Sequence, residues 1–159
     1  MTPLLATIFF GLLLLFVFVA LWLDGIVPWL HFSPSAWTIG LSVVIMIVGA
    51  TFSLWTVVQF FLARGTPVPV NPPPKLITSG LYSYVRNPMA MGLLILLIGL
   101  GILLGSLPLT LFFGPLFVAT YGFFIKAVEE KELEMRFGQE YLEYKKRVPM
   151  FIPRLKRRA

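Results

Sequence analysis

The stretch RNPMAMGLLILLIGLGILLGSLPLTLFFGPLFVATYGFFIKAVEE, residues 86–130, carries no charged side chain between Arg86 and Lys126. It divides at Ser106-Leu107-Pro108, a tight uncharged turn, into two apolar runs, Met89 to Gly105 and Leu109 to Val128. At about 1.5 Å per residue the later run spans about 30 Å, one hydrocarbon thickness, and the earlier about 26 Å, the short end of the range for a crossing helix. Asn87-Pro88 reads as the cap and first position of the earlier helix, since Asn accepts from a free backbone N–H and proline has none to waste there. Pro115 cannot hydrogen-bond to the Leu111 carbonyl, which predicts a kink in the later helix. A turn this short makes the pair an antiparallel hairpin. The start of one helix and the end of the other then share one level, so Arg86 and Asn87 can approach Glu129 and Glu130.

Upstream lie two more apolar runs, Leu4 to Leu23 and Trp37 to Ala63. The first lacks the basic leader and small-residue cleavage site of a signal peptide and is read as a span. The expectation is an all-α membrane protein, one domain over residues 1–159, with four transmembrane helices at about 4–23, 37–63, 89–105 and 109–128. The loops after the first and third helices hold no Lys or Arg, whereas the loop after the second and the tail hold all 13 with Lys126. By the positive-inside rule both termini are expected on the cytoplasmic side. The loop from Arg64 to Asn87 carries Pro67, Pro69, Pro72, Pro73 and Pro74, a stiff extended connector.

Residues 129–159 form the expected cytoplasmic tail. Glu129 to Phe137 should prolong the fourth helix, with Glu132 and Arg136 as a favourable i, i+4 pair. Gly138 is a plausible C-terminal cap. Gln139 to Arg147 reads as a short amphipathic helix with Tyr141 and Tyr144 on its apolar side, followed by an extended run from Val148 to Pro153.

The composition, 58% hydrophobic and 13% charged, lies outside the soluble globular range. With no cysteine and a single histidine, His31, the chain offers no disulfide, thiolate nucleophile, Ser-His-Asp triad or histidine-pair metal site, and no metal site is expected. The net charge of +6 follows the topology, so no nucleic-acid partner is expected. Chemistry is left to carboxylates, Arg, Tyr, amides or a cofactor.

The charged residues at the hairpin mouth have two readings. Arg86 and the N–H groups at the helix start suit a carboxylate, and Glu129 and Glu130 suit hydroxyls or an ammonium group. Equally, all of them can anchor helix ends at the interface. Thr51, Trp55 and Gln59 recur on one face of the second helix and either line a pocket for a lipid substrate or make interhelical hydrogen bonds. Gly99, Gly101 and Gly105 do not follow a strand and are no dinucleotide fingerprint. Close helix packing is their commoner meaning, and a ligand's flat ring near the backbone is the other.

The run from Gly80 to Met89, GLYSYVRNPM, resembles the G-x-Y-x-x-x-R-[HN]-P-M signature of the isoprenylcysteine carboxyl methyltransferase and phospholipid methyltransferase superfamily. Glu129-Glu130, Leu133, Phe137-Gly138, Tyr141, Tyr144, Val148-Pro149 and Phe151-Ile152-Pro153 resemble the tail of the same pattern, so the likeness spans residues 76–154. It implies a methyltransferase core using S-adenosyl-L-methionine, with a lipophilic or lipid-modified acceptor drawn from the membrane. The cofactor residues it implies are Arg86, Asn87, Pro88, Gly99, Gly101, Glu129, Glu130 and Tyr141. Arg86, Glu130 and Tyr84 are the catalytic candidates, with Glu130 or Glu134 as base for an amine acceptor. The Thr51, Trp55 and Gln59 face is the candidate substrate wall. Asn87 stands where many members have His, and Ala90 where Tyr is frequent. The alternatives are a sterol-reductase-like enzyme using NADPH and a non-catalytic membrane protein serving assembly or transport.

Overall fold

A computed structural model of the chain describes residues 3–66 and 73–152. Pro67, Pro69 and Pro72 of the connector, Pro153 and the basic residues from Arg154 to Arg158 lie outside the described residues. The described residues form helices and turns without strands. Helix α1 spans Pro3–Ile26, α2 Ala36–Leu62, α3 Pro88–Leu103, α4 Leu109–Phe137 and α5 Gln139–Arg147. The apolar parts of α1, α2 and α4 are long enough to cross a membrane, and α3 is a shorter apolar helix of 16 residues. This is the architecture of a multi-pass membrane protein.

The helix starts follow from local chemistry. Ser35 caps α2 by accepting from the Thr38 N–H at 3.3 Å, and Asn87 caps α3 by accepting from the Ala90 N–H at 2.9 Å. In α4 the expected disturbance near Pro115 is a π-helical turn over Leu109–Phe113, which precedes Gly114 and Pro115. A second π turn covers Ile125–Glu129, and the helix then runs on to Phe137 as expected.

Helices α2 and α3 make the most extensive pairing. They close on glycine: a Cβ on Gly92 would stand 2.5 Å from Ser53 Oγ and 2.8 Å from the Gly49 carbonyl oxygen. Packing of this kind needs small residues because lipid tails solvate apolar side chains as well as a neighbouring helix does. Helix α1 instead leans on α4 through aromatic rings, with Phe9 4.6 Å from Phe124 and Phe16 5.7 Å from Phe113 between centroids. At the end away from the charges, the Phe32 N–H donates to the Gly105 carbonyl at 2.9 Å. Gly105 has φ +68°, and Phe32 lies where a side chain would project, so the α3–α4 turn admits glycine there.

Candidate functional site

The site is assembled at the opposite end, where α3 begins. A 3₁₀ turn over Gly80–Ser83 leads into buried Val85, then Arg86 and the Asn87 cap. The chain beyond α5 returns to this point. The Arg86 N–H donates to the Pro149 carbonyl at 2.8 Å and the Asn87 N–H to that of Met150 at 3.2 Å. Phe151 lies against Gly122 of α4, where a Cβ would meet its ring at 2.7 Å. These donors, with the Ala90 N–H, are committed to the chain itself, so the helix start does not offer a ligand the open row of N–H groups that the sequence suggested.

The second π turn, Ile125–Glu129, sets the acidic residues. One extra residue in the helical ladder rotates all that follows by about 100° about the axis. Glu130 emerges 3% exposed and accepts a hydrogen bond from Arg86 Nη1. Lys145 Nζ of α5 lies 2.7 Å from Glu130 Oε2 and 2.8 Å from Glu134 Oε1. A buried carboxylate is tolerated only when paired, and here two cations from different elements serve one acid. Its hydrogen bond to Glu130, then that to Glu134, raises the Lys145 ammonium pKa above its usual range.

Helix α5 is held down by its tyrosines. Tyr141 and Tyr144 are 2% and 5% exposed and pack with Val148 against Leu76, Leu133 and Phe137. Tyr144 donates to the Tyr82 carbonyl at 2.7 Å, and Tyr141 Oη stands 3.5 Å from Arg86 Nη1. Burial raises the phenol pKa values of Tyr82, Tyr141 and Tyr144.

A cavity opens between α4, α5 and the segment before α3. Phe60, Ile125, Leu133 and Phe137 contribute apolar wall. Arg86, Asn87, Glu129, Glu130 and Tyr141 also reach it. Arg86 Nε is buried and makes no hydrogen bond. The Arg86 side chain as a whole reaches the cavity wall, held there through Nη1 by Glu130 and Tyr141. A donor for a carboxylate, the Glu129 carboxylate for an ammonium or hydroxyls, and apolar walls for a flat ring together fit an amino-acid nucleoside.

Five of the residues singled out by sequence thus meet at one cavity. Pro88 is buried directly behind them as the first residue of α3. The others lie elsewhere. Tyr84 is 53% exposed and outside the cavity wall, which receives Tyr82 instead. Gly99 meets Met46 of α2 and Gly101 meets Thr110 of α4, about 16 Å or more along α3 from the cavity end. Both are buried in helix contacts with no space beside them for a ligand ring. Thr51 hydrogen-bonds within its own helix, to the Ile47 carbonyl at 2.8 Å, and Trp55 is half exposed. Gln59 borders an adjoining groove that shares Lys75, Leu76 and Ile77 with the cavity, and Gly80 packs close to both Trp55 and Gln59. Sequence reasoning missed Lys145, whose charge had been assigned to topology, and gave no role to Tyr82, the tyrosine of the G-x-Y signature. The only signal for Lys145 was its place four residues after Tyr141 on the helix face turned inward.

Comparison with known proteins identifies the family. The family described as phospholipid methyltransferase matches residues 35–140. A protein-S-isoprenylcysteine O-methyltransferase of Xenopus laevis is 42% identical over 83 residues, and that of Schizosaccharomyces pombe 39% over 80. Methanethiol S-methyltransferase 1 of Bradyrhizobium diazoefficiens is 35% identical over 81 residues. These stretches cover 51%, 49% and 51% of this chain, but only 28%, 33% and 27% of the relatives' own lengths. With two thirds of its length matched by the family pattern, the chain belongs to the phospholipid methyltransferase family.

Proposed function

We propose that the protein transfers a methyl group from S-adenosyl-L-methionine to a lipophilic acceptor at the cytoplasmic face of a membrane, with four spans and both termini on that side. The observation that carries this reading is Arg86. It is held through Nη1 by Glu130 in the wall of a cavity that Glu129 also lines. The Arg86 guanidinium would take the carboxylate of the methionine portion, Glu129 its ammonium or the ribose hydroxyls, and the apolar wall of Phe60 and Leu133 the adenine. Helix α5, through Tyr141, covers the site and excludes water, which strengthens each of these polar contacts.

When bound, the cofactor supplies a methyl carbon whose bond to sulfur breaks as the acceptor's lone pair attacks in line, leaving a neutral thioether. The protein's contribution is to hold the two in line. Glu130 and Glu134 both hold Lys145, so neither is free to take a proton from an amine. An acceptor that arrives as an anion, a carboxylate or thiolate carried on an apolar group, suits such a site. The relatives named for isoprenylcysteine and methanethiol methylation have acceptors of these two kinds. Tyr84, exposed two residues before Arg86, is assigned to the acceptor side, together with the Thr51, Trp55 and Gln59 face reached from the bilayer.

The test is a calorimetric titration of the detergent-solubilised protein with S-adenosylhomocysteine, with NADPH in parallel. Saturable binding of the first, lost in Arg86→Ala and in Glu129→Ala, is expected. Binding of NADPH alone would move the protein to the reductase alternative. Binding of neither would leave the non-catalytic one.

A further inference from the structure

Glu130 and Glu129 are neighbours in sequence, both acidic and both at the cavity, yet they are in different electrostatic states. Glu130 is nearly sealed from solvent, with Arg86 on one oxygen and Lys145 on the other. Oε1 accepts a hydrogen bond from Arg86, and Oε2 stands in ion-pair contact with Lys145. Glu129 forms no salt bridge to a Lys or Arg among the described residues and lines the cavity. Lys145 stands behind Glu130 and is not part of the cavity wall.

We propose that Lys145 is a positioning residue of the binding site, acting only through Glu130. This assignment rests on the reading of the cavity as a site for a methyl-donor nucleoside. Lys145 stands against Oε2 of Glu130, Oε1 of Glu130 accepts from Arg86 Nη1, and Arg86 is thereby held in the cavity wall, where its guanidinium would meet the ligand's carboxylate. Glu134 completes the arrangement by giving Lys145 a second acceptor, which fixes its ammonium between two helices. The chain of contacts runs from α5 through α4 to the segment before α3. Docking of the tail helix and shaping of the anion-binding guanidinium are therefore one event. Lysine suits this role because a compact ammonium can bridge two carboxylates without the planar demands of guanidinium.

The distinguishing property of such a relay is non-additivity. The experiment measures the S-adenosylhomocysteine dissociation constant for the unmodified chain, Lys145→Met, Glu130→Gln and the double variant in detergent. Gel filtration confirms that each is folded. Lys145→Met is expected to bind about tenfold or more weakly, the scale of truncating one member of a buried charge pair. In the Glu130→Gln background the same change should alter affinity by less than about twofold, because the carboxylate through which Lys145 acts on Arg86 is gone. Lys145→Arg, which keeps the charge, should stay within about threefold of the unmodified chain and guards against a folding artefact. Losses that multiply across the double variant, or Lys145→Met binding as the unmodified chain does, would overturn the relay while leaving the methyl-donor reading intact. Failure of the unmodified chain to bind would remove that reading and this assignment together.

Discussion

The two ends of α3 are held by different physics. Along its apolar length α3 meets α2 through Gly92 opposite Gly49 and Ser53, and through Gly99 against Met46. The fit is one of shape, between surfaces with almost no charge. At its start, Arg86, Glu130, Lys145 and Glu134 form a chain of ion pairs, and the backbone N–H groups of Arg86 and Asn87 bond to Pro149 and Met150. Shape packing within the apolar region makes a rigid wall but gives a ligand nothing to bind. The charged end costs desolvation, is held by ion pairs, and is where the cavity opens. The scaffold and the site are therefore separable by mutation.

The largest effect should come from Arg86→Ala. It removes one of two cations from a carboxylate that is 3% exposed, and breaking such a pair costs on the order of 3 kcal/mol. Thermal unfolding in detergent should show the loss, and S-adenosylhomocysteine binding should vanish with it. Intact binding in this variant would refute the division between the two ends. Gly92→Leu comes next. Its side chain must displace backbone of α2 rather than a flexible tip, for about 1–3 kcal/mol of overpacking. The folded fraction should still bind ligand, because Gly92 meets Gly49 and Ser53 of α2, neither of which lines the cavity.

Tyr144→Phe removes the hydrogen bond to the Tyr82 carbonyl while keeping the ring in place. It should cost about 1 kcal/mol and be seen as faster hydrogen exchange in α5 alone. The smallest effect at ordinary pH is the response to alkali. Tyr82, Tyr144 and Lys145 all have raised pKa values in the folded protein, the phenols through burial and the ammonium through its bonds to Glu130 and Glu134. Each folded group holds its proton more tightly than the unfolded one, so its contribution is fully present below about pH 10 and declines as pH rises further. Limited proteolysis should then release α5 before any change in the α2–α3 contact. Simultaneous loss of both would show that the two ends are coupled.

Much of this was legible in the sequence where a local rule applies. Asn87 and Ser35 cap helices because their side chains reach N–H groups three residues on, a matter of a few covalent bonds. Tyr141 and Tyr144 were readable as the buried face of α5 because a short amphipathic helix has one inward side. The four apolar runs were readable because the bilayer demands a fixed length of hydrocarbon. Gly99 and Gly101 show the limit. Their spacing is compatible with ligand approach and with helix packing alike, and only the position of Met46 and Thr110 assigns them to packing. The Thr51, Trp55 and Gln59 stripe shared a face, as the helical period required, but the period says nothing of what that face meets.

By itself the sequence determined the membrane class, the helix boundaries at their caps, the hairpin that brings Arg86 level with Glu129 and Glu130, and the family. Each depends on composition, spacing or nearest neighbours along the chain. Only the tertiary structure decided that Glu130 pairs with Arg86 while Glu129 faces the cavity, that Lys145 stands behind Glu130, and that the strand of chain after α5 occupies the N–H groups at the start of α3. The reason is rotational. A π turn shifts every later side chain by about 100°, and the pairing of charges across three elements depends on that angle, which no local pattern encodes.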